Sequence, residues 1–163
     1  EICSSNLEKI LQENESSRSD MIVLGWNIIQ KNIDGKIVSR RNITQPKQKI
    51  FSNKEVVSKS IRSFSNNSRM YNLWNRIYKT SIIKNNKLKL REDLKLGEDV
   101  LFNFSFLEHA NEVYFSDLDP YYTYEENSPT SIVNTSRMNY GFWKENFKAL
   151  DSFSEIVKDE KLE

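Results

Sequence analysis

The stretch MIVLGWNII, residues 21–29, decides the fold class of this chain. Apolar residues follow one another there with almost no polar interruption, which is typical of a strand covered on both faces. We therefore predict one central strand from Met21 to Ile29. The sequence NIDG at residues 32–35 follows it, and its Gly permits the positive φ that a tight hairpin turn requires. The chain is then expected to return as a strand over residues 36–39.

Helices and further strands are predicted on both sides of this segment. A helix capped by Ser4 or Ser5 is expected near the start of the chain. Ser52 and Glu55 have the spacing of a capping box, which predicts a helix that runs to about Phe64. The remaining predictions are a polar linker over residues 63–68, a strand-like segment from Met70 to Tyr78, a short helix from Thr80, a charged loop from Lys89 to Leu96, a helix from Asp99 to His109, strands at Val113–Phe115 and Tyr121–Tyr124, and one or two helices between Asn139 and Lys158.

This mixture of elements, in a chain of 163 residues, predicts one domain with an α/β or α+β sheet fold. We expect a partial mixed sheet flanked by helices, with the core in residues 1–138 and terminal helices over residues 139–163. The 24 basic and 23 acidic residues give a net charge of +1. Such a balance argues against nucleic-acid binding, for which a strong basic excess is typical.

Other classes of protein are excluded or disfavoured by what the sequence lacks. No apolar run approaches the roughly 20 residues that a helix needs to span a bilayer. Cys3 is the single cysteine and His109 the single histidine, so neither an internal disulfide nor a conventional zinc site is expected. The first residues do not form a signal-peptide pattern. We expect a cytoplasmic protein, with peripheral attachment at the inner face of the membrane as the alternative.

The segment Gly97-Glu98-Asp99 is the most suggestive candidate for chemistry. Two adjacent carboxylates stand directly after a Gly and directly before an apolar helix. The pattern fits a simple helix start, where free N–H groups and the helix dipole favour carboxylates, and taken alone it favours that interpretation. It also fits a general base that points into a cleft. A helix N-terminus lowers a carboxylate pKa and weakens such a base, whereas burial beside aromatic residues would offset that effect.

Three ordered blocks strengthen the functional interpretation. They are LWNRIYKTS at residues 73–81, LGEDVLFN at residues 96–103, and YYTY at residues 121–124 with Ser131-Ile132 downstream. This order resembles that of family 2 glycosyltransferases of the bacterial capsular and exopolysaccharide type. SDMIVLGW at residues 19–26 also resembles a strand of that family, so the similarity extends over about residues 4–132.

The resemblance implies the acceptor-side, C-terminal half of a GT-A-type enzyme that transfers a sugar from a nucleotide-sugar, with inversion, to a glycan or lipid-linked acceptor in polysaccharide biosynthesis. It implies that Asp99 is the general base and that Glu98 orients that site or binds acceptor hydroxyls. Two departures from the family pattern matter: Arg76 replaces the commoner Lys, and Glu125 stands where Arg is common. The residues that the resemblance places at the substrate are Trp74, Asn75, Arg76, Tyr78 and Asn103.

The family's donor-binding half, which ends in an Asp-x-Asp metal motif, lies upstream of these blocks. The resemblance therefore implies that a divalent metal, Mn²⁺ or Mg²⁺, serves the full-length enzyme, and that this chain by itself holds neither metal nor donor. Asp117 and Asp119 spell Asp-x-Asp downstream of the blocks, and we predict a turn between two strands there. Incomplete sheet edges are expected to expose apolar surface that favours a homodimer.

Two other classes of function remain open. The chain could be a non-catalytic glycan-binding or protein-binding module derived from the same fold, or a helical interaction domain. The second alternative accounts for the terminal helices and leaves Gly97-Glu98-Asp99 without a role. For Trp26 and Trp143 we expect packing in the core, whereas Trp74 lies inside a family-like block and is the one expected to meet a sugar.

Overall fold

The computed structural model describes residues 8–12, 15, 18–43, 50–56, 72–94, 97–116 and 122–126. Short helical segments lie at residues 8–12 and 53–56. The other elements are the strands β1 (Met21–Val23), β2 (Trp26–Lys31), β3 (Ile37–Ile43), β4 (Ile50–Ser52) and β5 (Arg76–Tyr78), the helices α1 (Thr80–Asn85) and α2 (Glu98–Leu107), and the strands β6 (Glu112–Phe115) and β7 (Tyr122–Glu126). The predicted α/β class is confirmed: two mixed sheets are flanked by helices.

The two sheets divide the segment that was expected to form one strand. The first sheet has the order β4-β6-β1-β5, and the second has the order β3-β2-β7. The prediction of a continuous strand from Met21 to Ile29 is therefore wrong, because β1 ends at Val23 and β2 begins in the other sheet at Trp26. At the break, the backbone N–H of Leu24 donates to the carbonyl of Asn75 at 2.9 Å.

Two neighbouring strands of the first sheet, β1 and β6, are each followed along the chain by a strand of the second sheet. In the first sheet β1 runs parallel to β6, and in the second β2 runs parallel to β7. The carboxyl ends of β1 and β6 therefore lie side by side, at the point where β1 leads through Leu24 and Gly25 into the second sheet. β5 lies antiparallel to β1, with Arg76 opposite Val23 at this carboxyl end. In open α/β sheets, ligands bind outside the carboxyl ends of parallel strands. A ligand-binding site is therefore expected at this boundary between the two sheets.

The core covers β1 on both faces, as the apolar run predicts. Met21 and Val23 point to the face on which α2 packs, whereas Ile22 points to the opposite face. This alternation follows from the period of two residues in a strand. On the α2 side the buried cluster also contains Phe51, Val56, Phe104, Phe106, Leu107, Ala110, Val113 and Phe115. On the other side it contains Ile10, Leu24 and Tyr114.

Several local predictions are confirmed. Gly35 has φ +77° in the turn between β2 and β3, and β3 continues beyond the expected return strand to Ile43. The capping box forms, since the Ser52 backbone N–H donates to Glu55 Oε2 at 2.9 Å and the Glu55 N–H donates to Ser52 Oγ at 3.4 Å. Helices α1 and α2 and strands β6 and β7 lie within about two residues of their predicted bounds.

The strand-like segment predicted from Met70 to Tyr78 is largely wrong. Within the described part of that segment, residues 72–78, only residues 76–78 form a strand, whereas residues 73–75 form a bend and turn before it. The difference has a physical reason: the backbone N–H of Arg76 donates to the Leu73 carbonyl at 3.1 Å and closes a turn there, which the Asn75 side chain ties to the Leu24 carbonyl. Residues 89–94 lie outside helix and strand, in agreement with the predicted loop.

Other predictions fall outside the described residues. They are the cap at Ser4 or Ser5, the helix beyond residue 56, the linker over residues 63–68, the turn at Asp117 and Asp119, and the helices between Asn139 and Lys158. The division into residues 1–138 and 139–163 therefore stays a prediction. Among the described helices, none combines the length and the apolar composition that crossing a bilayer demands.

Candidate functional site

The candidate site begins at the N-terminus of α2. Gly97 is the N-cap residue and has φ +80°, a left-handed conformation that only Gly adopts without strain. It turns the chain into a helix whose first turn carries Glu98 and Asp99, both half-buried. The far side of this helix is fixed by Phe104, Phe106 and Leu107 in the core, so the two carboxylates are held by a rigid element.

The Asp99 carboxylate meets the turn that precedes β5. The backbone N–H of Leu73, in that turn, donates a hydrogen bond to it. Arg76 and Tyr78 on β5 are close enough that their ionisation is coupled electrostatically to Asp99. Four groups from two distant parts of the sequence thus converge: the carboxylates of Glu98 and Asp99, the Arg76 guanidinium and the Tyr78 phenol.

Burial raises the pKa of Asp99 above its usual range, and the neighbouring charge of Glu98 raises this pKa further. The hydrogen bond from Leu73 and the charge of Arg76 act in the opposite direction without cancelling these effects. A helix N-terminus alone would lower the pKa, so desolvation decides the direction here. A carboxylate with a raised pKa is a stronger base, which is the property that a proton acceptor needs.

Arg76 is a buried cation at the start of β5. Its Nη1 donates to Asn75 Oδ1 at 2.9 Å. Burial lowers the pKa of the guanidinium to about 10, while interactions with Tyr78 and Asp99 oppose this shift. Arg76 therefore keeps its charge at neutral pH and compensates part of the negative charge of the carboxylates. Its predicted contact with substrate stays a prediction.

Two fully buried amides hold the site residues in place. Asn75 Nδ2 donates to the Leu24 carbonyl at 3.1 Å, which ties the turn before β5 to the break between the sheets. Asn103 Oδ1 accepts the Tyr78 hydroxyl at 2.5 Å, and its Nδ2 donates to the Asn72 carbonyl at 3.3 Å. In both amides these polar atoms form hydrogen bonds within the protein. The predicted contacts of Asn75 and Asn103 with substrate stay predictions.

Tyr78 joins the site to the core of the first sheet. Its ring packs edge to face on Phe106, with centroids 5.0 Å apart, and on Phe102 at 5.6 Å. Burial raises the pKa of the phenol well above its usual value, and the charge of Asp99 adds to that effect while Arg76 opposes it. The hydroxyl therefore stays protonated at neutral pH and acts as a hydrogen-bond donor to Asn103.

An aromatic cluster borders the site on the side of the second sheet. Trp74 stacks on Tyr122, with centroids 4.6 Å apart, and on Tyr124 at 5.5 Å. Trp26 meets Trp74 edge to face at 5.5 Å and is buried, as expected for a core tryptophan. The contact of these two tyrosines with Trp74 was not predicted from the sequence. Their spacing of two residues, which places both side chains on one face of β7, is the signal that could have revealed it.

Other predicted features lie apart from these residues. His109 is exposed just beyond the end of α2. Glu125, which replaces a common Arg, is paired with Lys31 at 2.6 Å on the second sheet. In the described ranges, no group of three or more His, Cys, Asp or Glu side chains is placed to hold a metal ion. Trp143 and Cys3 lie outside those ranges.

No protein-family model matches this chain, and no curated protein matches it. Its fold is similar to that of S. aureus TarS 1–349, which is 19% identical in sequence. The TM-score is 0.56 to the complex with UDP-GlcNAc, with 93% of this chain and 39% of TarS 1–349 covered. It is 0.57 to the complex with UDP, with 97% and 38% covered. The chain thus spans about two fifths of the length of that protein. TarS is a glycosyltransferase, and the chain has a glycosyltransferase-like fold.

Proposed function

We propose that this chain is the acceptor-side, C-terminal part of a GT-A-type family 2 glycosyltransferase, which transfers a sugar from a nucleotide-sugar to a glycan or lipid-linked acceptor in polysaccharide biosynthesis. One observation carries the proposal. In a glycosyltransferase-like fold, a half-buried carboxylate with a raised pKa, Asp99, stands on a rigid helix start. Acceptor activation in an inverting transfer needs a group of this kind.

The reaction uses Asp99 as a general base. Its carboxylate takes the proton of the acceptor hydroxyl while the hydroxyl oxygen attacks the anomeric carbon of the donor sugar. The new carbon–oxygen bond forms opposite the leaving group, so the configuration at the anomeric carbon is inverted. The bond from that carbon to the diphosphate oxygen breaks, and the nucleoside diphosphate leaves with the electron pair. Positioning of the acceptor and proton removal are both sources of rate.

The neighbours of Asp99 have supporting roles in this proposal. Glu98 adds negative charge that raises the pKa of Asp99, and in this proposal it orients the site or binds acceptor hydroxyls. Arg76 limits the local negative charge, which allows two adjacent carboxylates to coexist in a half-buried place. The face of Trp74, backed by Tyr122 and Tyr124, suits an acceptor sugar ring, because aromatic rings pack against the apolar C–H faces of sugars.

The donor and its metal belong outside this chain in the proposal. The similar TarS structures were determined with UDP-GlcNAc and with UDP, which supports a nucleotide-sugar as the class of donor. Family 2 enzymes use a divalent metal, Mn²⁺ or Mg²⁺, against the diphosphate charge. The described residues here do not offer a ligand group for such an ion, so we assign no step to a metal.

The complete protein that contains this segment provides the direct test. When it is incubated with a panel of nucleotide-sugars, Mn²⁺ and glycan acceptors, we expect acceptor-dependent release of nucleoside diphosphate from one donor. The measurement is the initial rate of diphosphate release. Saturable binding of a glycan with no turnover of any donor would instead favour the non-catalytic binding module.

The 163-residue chain alone is expected to bind no nucleotide-sugar. The reason is that the described residues lack a metal group and that their buried cation, Arg76, already serves Asn75 and Asp99. Calorimetric titration with nucleotide-sugars and Mn²⁺ should show no saturable heat, while the complete protein serves as the positive control. Saturable binding of one donor to the chain alone would place the nucleotide site within these residues.

A further inference from the structure

The hairpin tip, which we define as residues 32–38 between β2 and β3, carries an apolar surface that the fold leaves in solvent. Ile33 is 100% exposed, Val38 62% and Ile37 43%. Single exposed apolar residues are normal on a protein surface, whereas three at one tip form a patch that calls for a partner. Elsewhere in the described chain, the exposed large apolar side chains are Leu11, Ile50 and Leu90.

The turn does not require an apolar residue at its tip. Asn32 organises it: its Oδ1 accepts the backbone N–H of Asp34 at 3.1 Å and that of Lys36 at 2.8 Å. Gly35 supplies the positive φ, and its N–H donates to the Asn32 carbonyl at 2.9 Å. Ile33 contributes no packing to this arrangement, so its side chain is free to contact something outside the chain.

Basic side chains surround the patch. Lys31 and Arg41 are neutralised within the second sheet by Glu125 and Glu126, at 2.6 and 2.7 Å. In the described part of the chain, neither Lys36 at the tip nor Arg40 on β3 is paired with a carboxylate. Both are exposed. Asp34 also lies at the tip and offsets part of their charge, which leaves an apolar tip with a modest positive potential.

We propose that the hairpin tip docks onto an anionic lipid surface. Ile33 and Val38 enter the boundary between the headgroups and the acyl chains, and Lys36 and Arg40 contact lipid phosphates. Peripheral proteins bind membranes by this combination of buried apolar area and cationic side chains, each cation adding a modest electrostatic gain. A tip of this size gives weak and reversible attachment.

A second copy of the chain fits this surface less well. A stable protein interface buries about 800 Å² on each partner and needs a complementary surface. A hairpin tip is convex and narrow, and its unpaired cations would repel those of an identical tip. A lipid surface demands no shape complementarity and offers phosphates to both cations, so the charges favour it.

Docking at the tip is compatible with access to the candidate site. β2 extends from Trp26, which contacts Trp74, to Lys31, which directly precedes the tip, a distance of about 16 Å for a strand of this length. The patch and Asp99 share no residue, so the inference stands independently of the proposed chemistry.

Vesicle co-sedimentation of the 163-residue chain tests the proposal. Vesicles of phosphatidylcholine alone are compared with vesicles that also contain phosphatidylglycerol. We expect binding to the anionic vesicles that weakens as salt rises. Ile33→Ser should weaken binding about fivefold to tenfold through lost apolar burial, and Lys36→Glu with Arg40→Glu should weaken it at least as much. All three side chains are exposed, and unchanged thermal melts will verify that the variants fold.

Matched controls come from exposed residues elsewhere. Leu90→Ser removes an apolar side chain from a loop, and Lys84→Glu reverses a charge on α1; both should leave vesicle binding unchanged. Equal loss in these controls, no binding by the unmodified chain, or full binding by Ile33→Ser would each overturn the proposal. So would a sedimentation experiment without lipid in which Ile33→Ser converts a dimer to a monomer, since the tip would then be a surface for self-association.

Discussion

Replacing Asp99 with Asn in the complete protein is expected to lower turnover by about 10²- to 10⁴-fold, with donor binding nearly unchanged. The amide keeps the size of the side chain and still accepts the Leu73 N–H through its oxygen, but it cannot take the acceptor proton. The initial rate and the donor dissociation constant separate the two effects. Because the pKa of Asp99 is raised, the rate of the unmodified enzyme should also fall on acidification at a higher pH than an ordinary Asp would give.

The structural alternative makes a different prediction for the same variant. If Asp99 serves only to start α2 and to bond the Leu73 backbone, Asn replaces it with a loss of at most about 1 kcal/mol of unfolding free energy and turnover is retained. Glu98→Gln is the matched control, since it removes the adjacent charge and leaves the base in place; we expect a milder loss of rate. Near-normal turnover in Asp99→Asn would reduce Gly97-Glu98-Asp99 to a helix start.

Local patterns were sufficient for many elements of the fold. The capping box at Ser52 and Glu55, the turn at Gly35 and the helix after Gly97 depend on side chains within a few residues, and sequence spacing carries that information. The break between β1 and β2, in contrast, does not depend on neighbouring residues. It depends on the hydrogen bonds between the Leu24 backbone and Asn75, fifty-one residues later. The apolar pattern of residues 21–29 contains no information about such a distant partner.

The candidate site was predictable in position and only partly in chemistry. The sequence places two carboxylates at a helix start, where the dipole predicts a lowered pKa. In the folded protein, the pKa of Asp99 is raised because tertiary packing buries the carboxylate beside Glu98. This burial cannot be predicted from a local sequence pattern. Likewise, Asn75 and Asn103 look like polar groups available to a substrate, whereas their amides complete hydrogen bonds inside the protein.

Asp20→Ala is expected to lower the unfolding free energy by about 3 kcal/mol, the largest stability effect among these predictions. The Asp20 side chain is 8% exposed and ties three strands of the first sheet together at the end opposite the candidate site. It accepts Lys79 Nζ at 2.8 Å, the Asn111 N–H at 2.8 Å and the Glu112 N–H. Alanine removes the carboxylate that these three donors share, and with it the charge-assisted hydrogen bonds that join the strand ends. Chemical denaturation at neutral pH measures the loss.

The pH dependence of the unfolding free energy tests whether the ionised carboxylate of Asp20 causes this stabilisation. Burial by itself raises the pKa of Asp20, but the bonds from Lys79, Asn111 and Glu112 outweigh it and leave the pKa below its usual 3.8. A folded-state pKa below the unfolded one means that this stabilisation is present above about pH 4 and is lost as the pH falls through the folded-state value. The unmodified chain and Asp20→Ala should therefore converge in stability on acidification. Asp93→Ala, which breaks the exposed pair with Arg91, is the control and should cost less than about 1 kcal/mol. A loss at Asp20 that stays constant down to strongly acidic pH would show that packing, and not the ionised carboxylate, joins these strands.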